Sequence, residues 1–310
     1  MAVRRKAQTP SPAQRLARER FAAMARARAR ARPQGGVGRS ERATLLAPAT
    51  GRRPLHIVTT TAIATAAAVL GTAATAATGD SLTTRNFRGP RIIAGWATAN
   101  TNAGFAQVAY PTGHDTTRGY RAGIRAGPTV NPELILPVGM QLPLTPQELL
   151  AVTLGGAAVA GDVEQISILT AYDEAQGQRW ETWEAVRSRM RELTTVVATL
   201  TAVSSTYSAG ELINAETDLL LANRDYAWLG CTTRVGIHAV GMTGPDTGND
   251  RLMIPGTLRY DLVHRWWPMI AGGCPVINSG NRGSTNLICH TDENAVDPLV
   301  TYYLALLADR

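Results

Sequence analysis

The sequence has few of the residues on which catalysis, metal binding or disulfide formation depends. Its 310 residues include five histidines and three cysteines, Cys231, Cys274 and Cys289. The cysteines are odd in number and have no C-x-x-C spacing, which argues against a disulfide framework and against a paired-cysteine zinc site. We therefore expect packed thiols in a reducing compartment, with no metal and no cofactor.

Long apolar segments are also scarce. No apolar region follows the charged N-terminus, so no secretory signal peptide is predicted, although the arginine-rich start has some likeness to a mitochondrial transit peptide. The longest candidate for a membrane span, the segment 57–78, contains seven threonines. A run of threonine, alanine, valine and isoleucine favours β-structure. A membrane partner therefore stays open but is not indicated.

Motifs that would indicate an enzyme are incomplete. The Asp-Thr-Gly triplet at 246–248 matches the aspartic-protease signature, but that chemistry needs two such loops, each entered from an apolar strand. Gly244 and Pro245 precede this triplet, and the comparable segment at 115–117 reads Asp-Thr-Thr. Both segments fit Asx turns. The glycine cluster at 35–40 lacks the lysine of a P-loop. We therefore predict that the protein is not an enzyme.

Two groups of residues leave metal binding open as a weaker alternative. Cys289 and His290 are adjacent, and His238 and His264 could join them from elsewhere in the fold, but paired ligand spacing is missing. The acidic turn at 246–250 offers oxygen ligands of the kind that Ca²⁺ prefers. Neither group has the spacing of a recognised metal motif.

Charge is distributed very unevenly along the chain. The segment 1–53 holds 14 of the 31 Lys and Arg residues and two of the 24 acidic residues, so it carries about +12. The remainder has 17 basic residues against 22 acidic ones and is net negative. A basic pI that comes from one terminal segment indicates a polyanionic partner for that segment.

The chain divides into an N-terminal arm and a β-rich body. Residues 1–54 form a basic arm and linker, predicted to be disordered when free. The body has short Thr, Val, Ile and Ala runs separated by turn residues, as in all-β sandwiches. One segment, 173–193, shows helical periodicity instead. It separates two β-sandwiches predicted at 55–172 and 194–310, whose features recur at an offset of roughly 135 positions.

Individual residues support this repeat. Thr59-Thr60 matches Thr194-Thr195, and Gly95 in IIAGW matches Gly230 in AWLGC. Two β units in tandem, with a helix between them and a basic arm in front, resemble the double jelly-roll major capsid proteins of tailless icosahedral viruses and phages. The arm is also similar to that of single jelly-roll coat proteins, in which a projecting domain follows the jelly roll. Both families form shells.

The resemblance implies a capsid subunit that self-assembles, as trimeric capsomers, into a virion shell in the host cytoplasm. The basic arm is then expected to bind genomic nucleic acid through its phosphates. The residues predicted to do so are Arg4, Arg5, Lys6, Arg15, Arg18, Arg20, Arg26, Arg28, Arg30 and Arg32. The alternatives are a cellular nucleic-acid-binding protein with a β-sandwich effector domain and, more remotely, a carbohydrate-binding β protein.

Overall fold

The structure, a computed structural model, is built almost entirely from antiparallel β-strands, which confirms the all-β prediction. Among the residues it describes, no helix is long and apolar enough to cross a membrane. The described residues are 56–65, 70–99, 104–111, 119–124, 132–136, 141–156, 163–174, 177–201, 205–213, 220–233, 237–256, 266–291 and 298–309.

The first half of the body contributes the strands of two sheets that share one core. These strands are β1 (His56–Thr65), β2 (Thr72–Ala73), β3 (Thr75–Ala76), β4 (Arg91–Ala99), β5 (Gly104–Ala109), β6 (Tyr120–Ile124), β7 (Glu133–Leu136), β8 (Leu142–Pro143), β9 (Ala151–Gly156) and β10 (Val163–Tyr172). Sheet A has the order β3-β1-β10-β4-β7, with β8 also paired to β4, and sheet B has the order β2-β9-β5-β6. Buried side chains of both sheets, such as Ile166 and Leu154, form the core of this first sandwich.

The second half repeats this arrangement. Its strands are β11 (Trp180–Thr182), β12 (Met190–Thr199), β13 (Glu211–Leu212), β14 (Asp225–Thr233), β15 (Ala239–Thr243), β16 (Leu252–Pro255), β17 (Gly273–Asn278), β18 (Asn286–His290) and β19 (Leu299–Leu307). Sheet C has the order β11-β17-β14-β19-β12, and sheet D has the order β13-β18-β15-β16. The core of this second sandwich joins side chains of both sheets, among them Trp228, Tyr302 and Met242.

The two sandwiches share one strand order. Leaving out the short strands β3, β8 and β11, the described residues of each half form eight strands, of which the first, eighth, third and sixth form one sheet. The second, seventh, fourth and fifth strands form the other sheet. Four strands lie along β1-β10-β4-β7 in sheet A and along β12-β19-β14-β17 in sheet C. The body is therefore a structural duplication.

Matching elements of the two halves are displaced along the chain by a nearly constant amount. β1 and β12 begin at positions 56 and 190, β4 and β14 at positions 91 and 225, and β9 and β18 at positions 151 and 286. The glycine match does not hold at the level of residues: Gly95 pairs with Ile168 on the core face of sheet A, whereas Gly230 pairs with Tyr303 on the outward face of sheet C. A register shift lies beside the Gly230–Tyr303 pair and one pair away from the Gly95–Ile168 pair. The strands therefore recur at about the offset that the sequence predicts, but the individual residue matches at 135 positions, Thr59-Thr60 with Thr194-Thr195 and Gly95 with Gly230, are wrong by one residue.

The helix predicted over 173–193 is wrong in its extent. The helix, α1, spans only Trp183–Arg189, begins at the Thr182 side chain, which accepts a hydrogen bond from the Ala185 amide, and ends where Met190 turns to extended backbone. On its two sides the chain is extended, because β11 pairs with β17 and β12 pairs with β19. These long-range strand pairings override a local helical period.

Burial shows that sheets A and D are the inner layers of the body. Every residue of β4 and β10 in sheet A is buried, as is every residue of β16 in sheet D. Sheets B and C are more accessible, since their strands β9 and β12 alternate between buried and accessible positions, although β14 in sheet C is buried at every residue after Asp225. A second helix, α2 (Trp266–Ala271), packs Trp267 against Trp228 of sheet C.

Candidate assembly interface

The two sandwiches meet along the free edge of β1. The backbone amide of Ile57 donates to Gln178 Oε1 at 2.8 Å, and Gln178 Nε2 donates back to the Ile57 carbonyl at 2.6 Å. The amide of Thr59 donates to the Arg251 carbonyl at 3.3 Å. The amide of Thr61, the next one along the free edge of β1, donates to Asp80 Oδ2 at 2.8 Å. Because an unpaired strand edge is a template for further pairing, these contacts close it.

A buried polar network also joins the outward face of sheet A to the second sandwich. His238 is fully buried; its Nδ1 lies 2.9 Å from Thr98 Oγ1 and its Nε2 lies 2.8 Å from Ser167 Oγ. The indole of Trp96 donates to the His238 carbonyl at 2.8 Å. Burial, followed by the nearby His290, holds the pKa of His238 well below its usual range, so this imidazole is neutral.

Ion pairs surround a polar cleft of about 340 Å³ at the same junction. Arg251 Nη1 donates to Asp80 Oδ1 at 2.8 Å, and Arg85 forms a two-bond contact with Asp250, which His56 also reaches at 2.8 Å. Burial raises the pKa of Asp80 despite hydrogen bonds from Tyr207, Thr61 and Arg251. Each pair links residues of the first sandwich to residues of the second.

The polar network of His238, Thr98 and Ser167 does not have the arrangement of a catalytic site. Ser167 and His238 have the separation of a Ser-His dyad, but the second ring nitrogen of His238 meets the Thr98 hydroxyl where a hydrolase would place a carboxylate. Ser167 and His238 are both fully buried and neither lines the cleft. The residues therefore bind the sandwiches to each other.

On the face of sheet C that matches this covered face of sheet A, strand β12 is exposed. In sheet A the outward pairs Thr59–Leu169 and Thr61–Ser167 are buried. The matching pairs in sheet C are Leu193–Ala305 and Thr195–Tyr303. There Leu193 is 63% exposed and Val197, which follows Thr195 on the same face, is 50% exposed. Among the described residues no strand pairs with the free edge of β12.

The predicted nucleic-acid-binding residues lie outside the described part of the chain. All ten, from Arg4 to Arg32, belong to the segment 1–55, so their role stays a prediction. Two of the residues weighed as metal ligands, Cys289 and His290, are adjacent on β18, and His238 lies beside His290. His264 and the segment 115–117 lie outside the described residues. Among the described residues no three His, Cys, Asp or Glu side chains form a metal-binding group.

The Asp-Thr-Gly turn is held by hydrogen bonds. Asp246 Oδ2 accepts from the Asn278 amide at 2.9 Å and from Asn281 Nδ2 at 3.0 Å, and Arg179 lies 3.4 Å from Oδ1. The Thr247 hydroxyl donates within the turn, and the Gly248 amide donates to the Pro245 carbonyl, so this is a backbone turn and not the Asx turn predicted from sequence. Asp250, in the same turn, is occupied by Arg85 and His56. The carboxylates of Asp246 and Asp250 are therefore both bound by other groups of the protein.

Replacing Asp246 by Asn will lower stability without changing the fold. The NH₂ of the new amide faces either the donors of Asn278 and Asn281 or the guanidinium of Arg179, so at least one of these contacts is lost, at a cost of about 1–3 kcal/mol of unfolding free energy. Urea unfolding measures this loss. Asp309→Asn, at a carboxylate that is 73% exposed, is the matched control and will show little change. Equal stability of both variants would contradict this assignment.

Comparison with known proteins does not assign the chain to a family. No protein-family model and no curated protein matches the sequence. The function therefore has to be inferred from the geometry of the chain and the distribution of its charge.

Proposed function

We propose that the protein is a structural subunit that self-assembles into a virion shell, with its N-terminal arm bound to packaged nucleic acid. The observation that carries this proposal is the strand order found twice in one chain. Eight strands in the order 1-8-3-6 and 2-7-4-5 form the arrangement of a jelly roll, an architecture that viral capsid domains use. Two such units in tandem support a double jelly-roll capsid subunit.

The way the two sandwiches pack supports self-association. Within one chain, sheet A lays its outward face against the second sandwich through His238, Tyr207 and Arg251. A duplicated unit carries the same kind of surface twice, and a head-to-tail contact that repeats can close into a ring. We infer rings of several copies, which we assign to trimeric capsomers on the basis of the capsid resemblance.

The division of charge supports the role of the arm. The arm carries about +12, whereas the remaining residues are net negative. Several arginines of the body are committed to ion pairs with Asp80, Asp173, Asp225 and Asp250. Attraction to phosphates is therefore concentrated in the segment 1–53. The proposed location is the virion, with assembly in the host cytoplasm.

Sedimentation and nuclease protection together test this proposal. We expect the purified protein, mixed with nucleic acid, to form large particles of uniform sedimentation coefficient in which the nucleic acid resists nuclease. A cellular nucleic-acid-binding protein would form small complexes whose nucleic acid stays digestible. A small, nuclease-sensitive complex at every ratio of protein to nucleic acid would exclude the shell.

A further inference from the structure

The outward side of sheet C has the features of a protein contact. The side chains on this docking face belong to β12 and β19: Leu193, Thr195, Val197, Thr199, Thr301 and Tyr303. None of them is charged, and they flank the open edge of β12. An uncharged β face beside an open edge strand is unusual on a free surface, because such edges invite pairing.

The covered counterpart of the docking face shows what kind of partner fits. The outward positions of sheet A that match it hold residues of the same types, including Thr59, Thr61 and Leu169, and all are buried against the second sandwich of the same chain. The occupant in that case is a sandwich with the same strand order as the first. The partner expected for sheet C is therefore a first sandwich, and only another copy of this chain supplies one.

The receiving surface on that second copy follows from the same repeat. Sheet A lies against the second sandwich on the side of sheet D, where Tyr207 and His290 stand beside its strands. Sheet B is the counterpart of sheet D, and its outward side chains, the receiving face, are Phe105, Gln107, Arg121 and Thr153. Its single charge, the guanidinium of Arg121, lies 3.5 Å over the Phe105 ring.

We propose that the docking face of sheet C packs on the receiving face of sheet B in a second copy of the chain. This contact rests on the proposed function, since it is the step by which subunits would join. It is heterologous: each copy uses one surface to dock and a different one to receive. Both surfaces are uncharged apart from the stacked Arg121, so the contact buries no unpaired ion.

Charge insertion tests each surface separately. Val197→Lys places an ammonium at the centre of the docking face, and Gln107→Lys places one on the receiving face. Burial of an unpaired charge will weaken self-association of the full chain by roughly 100-fold in each variant. Leu221→Lys, at a side chain that is 54% exposed and lies on neither face, is the matched control and will associate normally. Sedimentation velocity in high salt, which suppresses contacts of the arm, measures all three.

Mixing the two variants tests whether the contact is head to tail. Gln107→Lys keeps an intact docking face and Val197→Lys keeps an intact receiving face, so an equimolar mixture will form a one-to-one complex that neither variant forms alone. Thermal unfolding checks that both variants keep the stability of the unmodified chain.

The outcomes separate this contact from the proposed function. If the unmodified chain associates and Val197→Lys associates equally well, the docking face is wrong while the shell proposal stands. If Gln107→Lys alone associates normally and the mixture shows no rescue, sheet C meets its own copy and the receiving face is wrong. If the unmodified chain never associates, both proposals fail.

Discussion

Deletion of the segment 1–53 will abolish binding to nucleic acid while the β body stays folded. The ten cations from Arg4 to Arg32 are opposed by one acid, Glu19, and release counterions when they neutralise phosphates. We therefore expect the affinity of the full chain to fall by about 10³ to 10⁵ between 50 and 200 mM salt, with little dependence on base sequence. Fluorescence anisotropy across a salt series, on the full and truncated chains, measures both effects.

A length-matched control separates the charge of the arm from its presence. Replacing the seven arginines at 15, 18, 20, 26, 28, 30 and 32 by glutamine keeps the length of the arm and will reduce the salt slope by most of its value. A truncated chain that kept the affinity and salt slope of the full chain would place the binding surface in the body. The body is net negative, so we expect only weak residual binding there.

Acidification will destabilise the junction between the sandwiches. Burial, with a smaller contribution from Arg251, lowers the pKa of His290 to about 3, and burial lowers that of His238 as well, against an ordinary value of 6.5. The unfolded chain therefore takes up protons near pH 6.5 that the folded chain refuses. Stability is complete above pH 6.5 and is lost as the pH falls, by about 1.4 kcal/mol per pH unit for each imidazole.

A single substitution tests which group is responsible. Both ring nitrogens of His290 lack a hydrogen-bond partner among the described residues, so His290→Met removes the titration and leaves no polar group unpaired. Between pH 6.5 and 4.5 it will reduce the pH dependence of the unfolding free energy by about 1.4 kcal/mol per pH unit, which corresponds to the uptake of one proton. Ile288→Met, on the same strand, is the control and will keep the slope. Asp80, whose raised pKa acts in the opposite direction, offsets the loss only toward the acid end of this range. An unchanged slope in His290→Met would contradict the assignment.

Sequence patterns predict the class of fold and the duplication because both are recorded locally. Alternation of side chains in β9 and β12, and turns between short strands, indicate strands with one buried face. The glycines at 95 and 230 mark the same pair of strands but not equivalent positions, because Gly95 pairs with the inward Ile168 and Gly230 pairs with the outward Tyr303. The helix predicted at 173–193 is too long because Trp180 and Trp183 have helical spacing, while Trp180 packs on Trp267 from a strand.

The junction could not be predicted, since its contacts join residues far apart in the chain. His238 meets Thr98 and Ser167, which lie 140 and 71 positions away, and Asp80 meets Arg251 across 171 positions. No local period or motif reports such contacts. The sequence points to His238 only as a metal ligand, and the difference between the covered sheet A and the open sheet C requires the three-dimensional arrangement of both sandwiches. The role of the arm, in contrast, could be predicted from the sequence, because its charge is evident from composition alone.

Negative-stain electron microscopy of the purified full chain tests the shell most directly. The account predicts closed particles of uniform diameter whose surface repeats one subunit many times, and it predicts that Val197→Lys prevents their formation while Leu221→Lys does not. Monomers, small irregular oligomers or open filaments under every condition of salt and nucleic acid would contradict it.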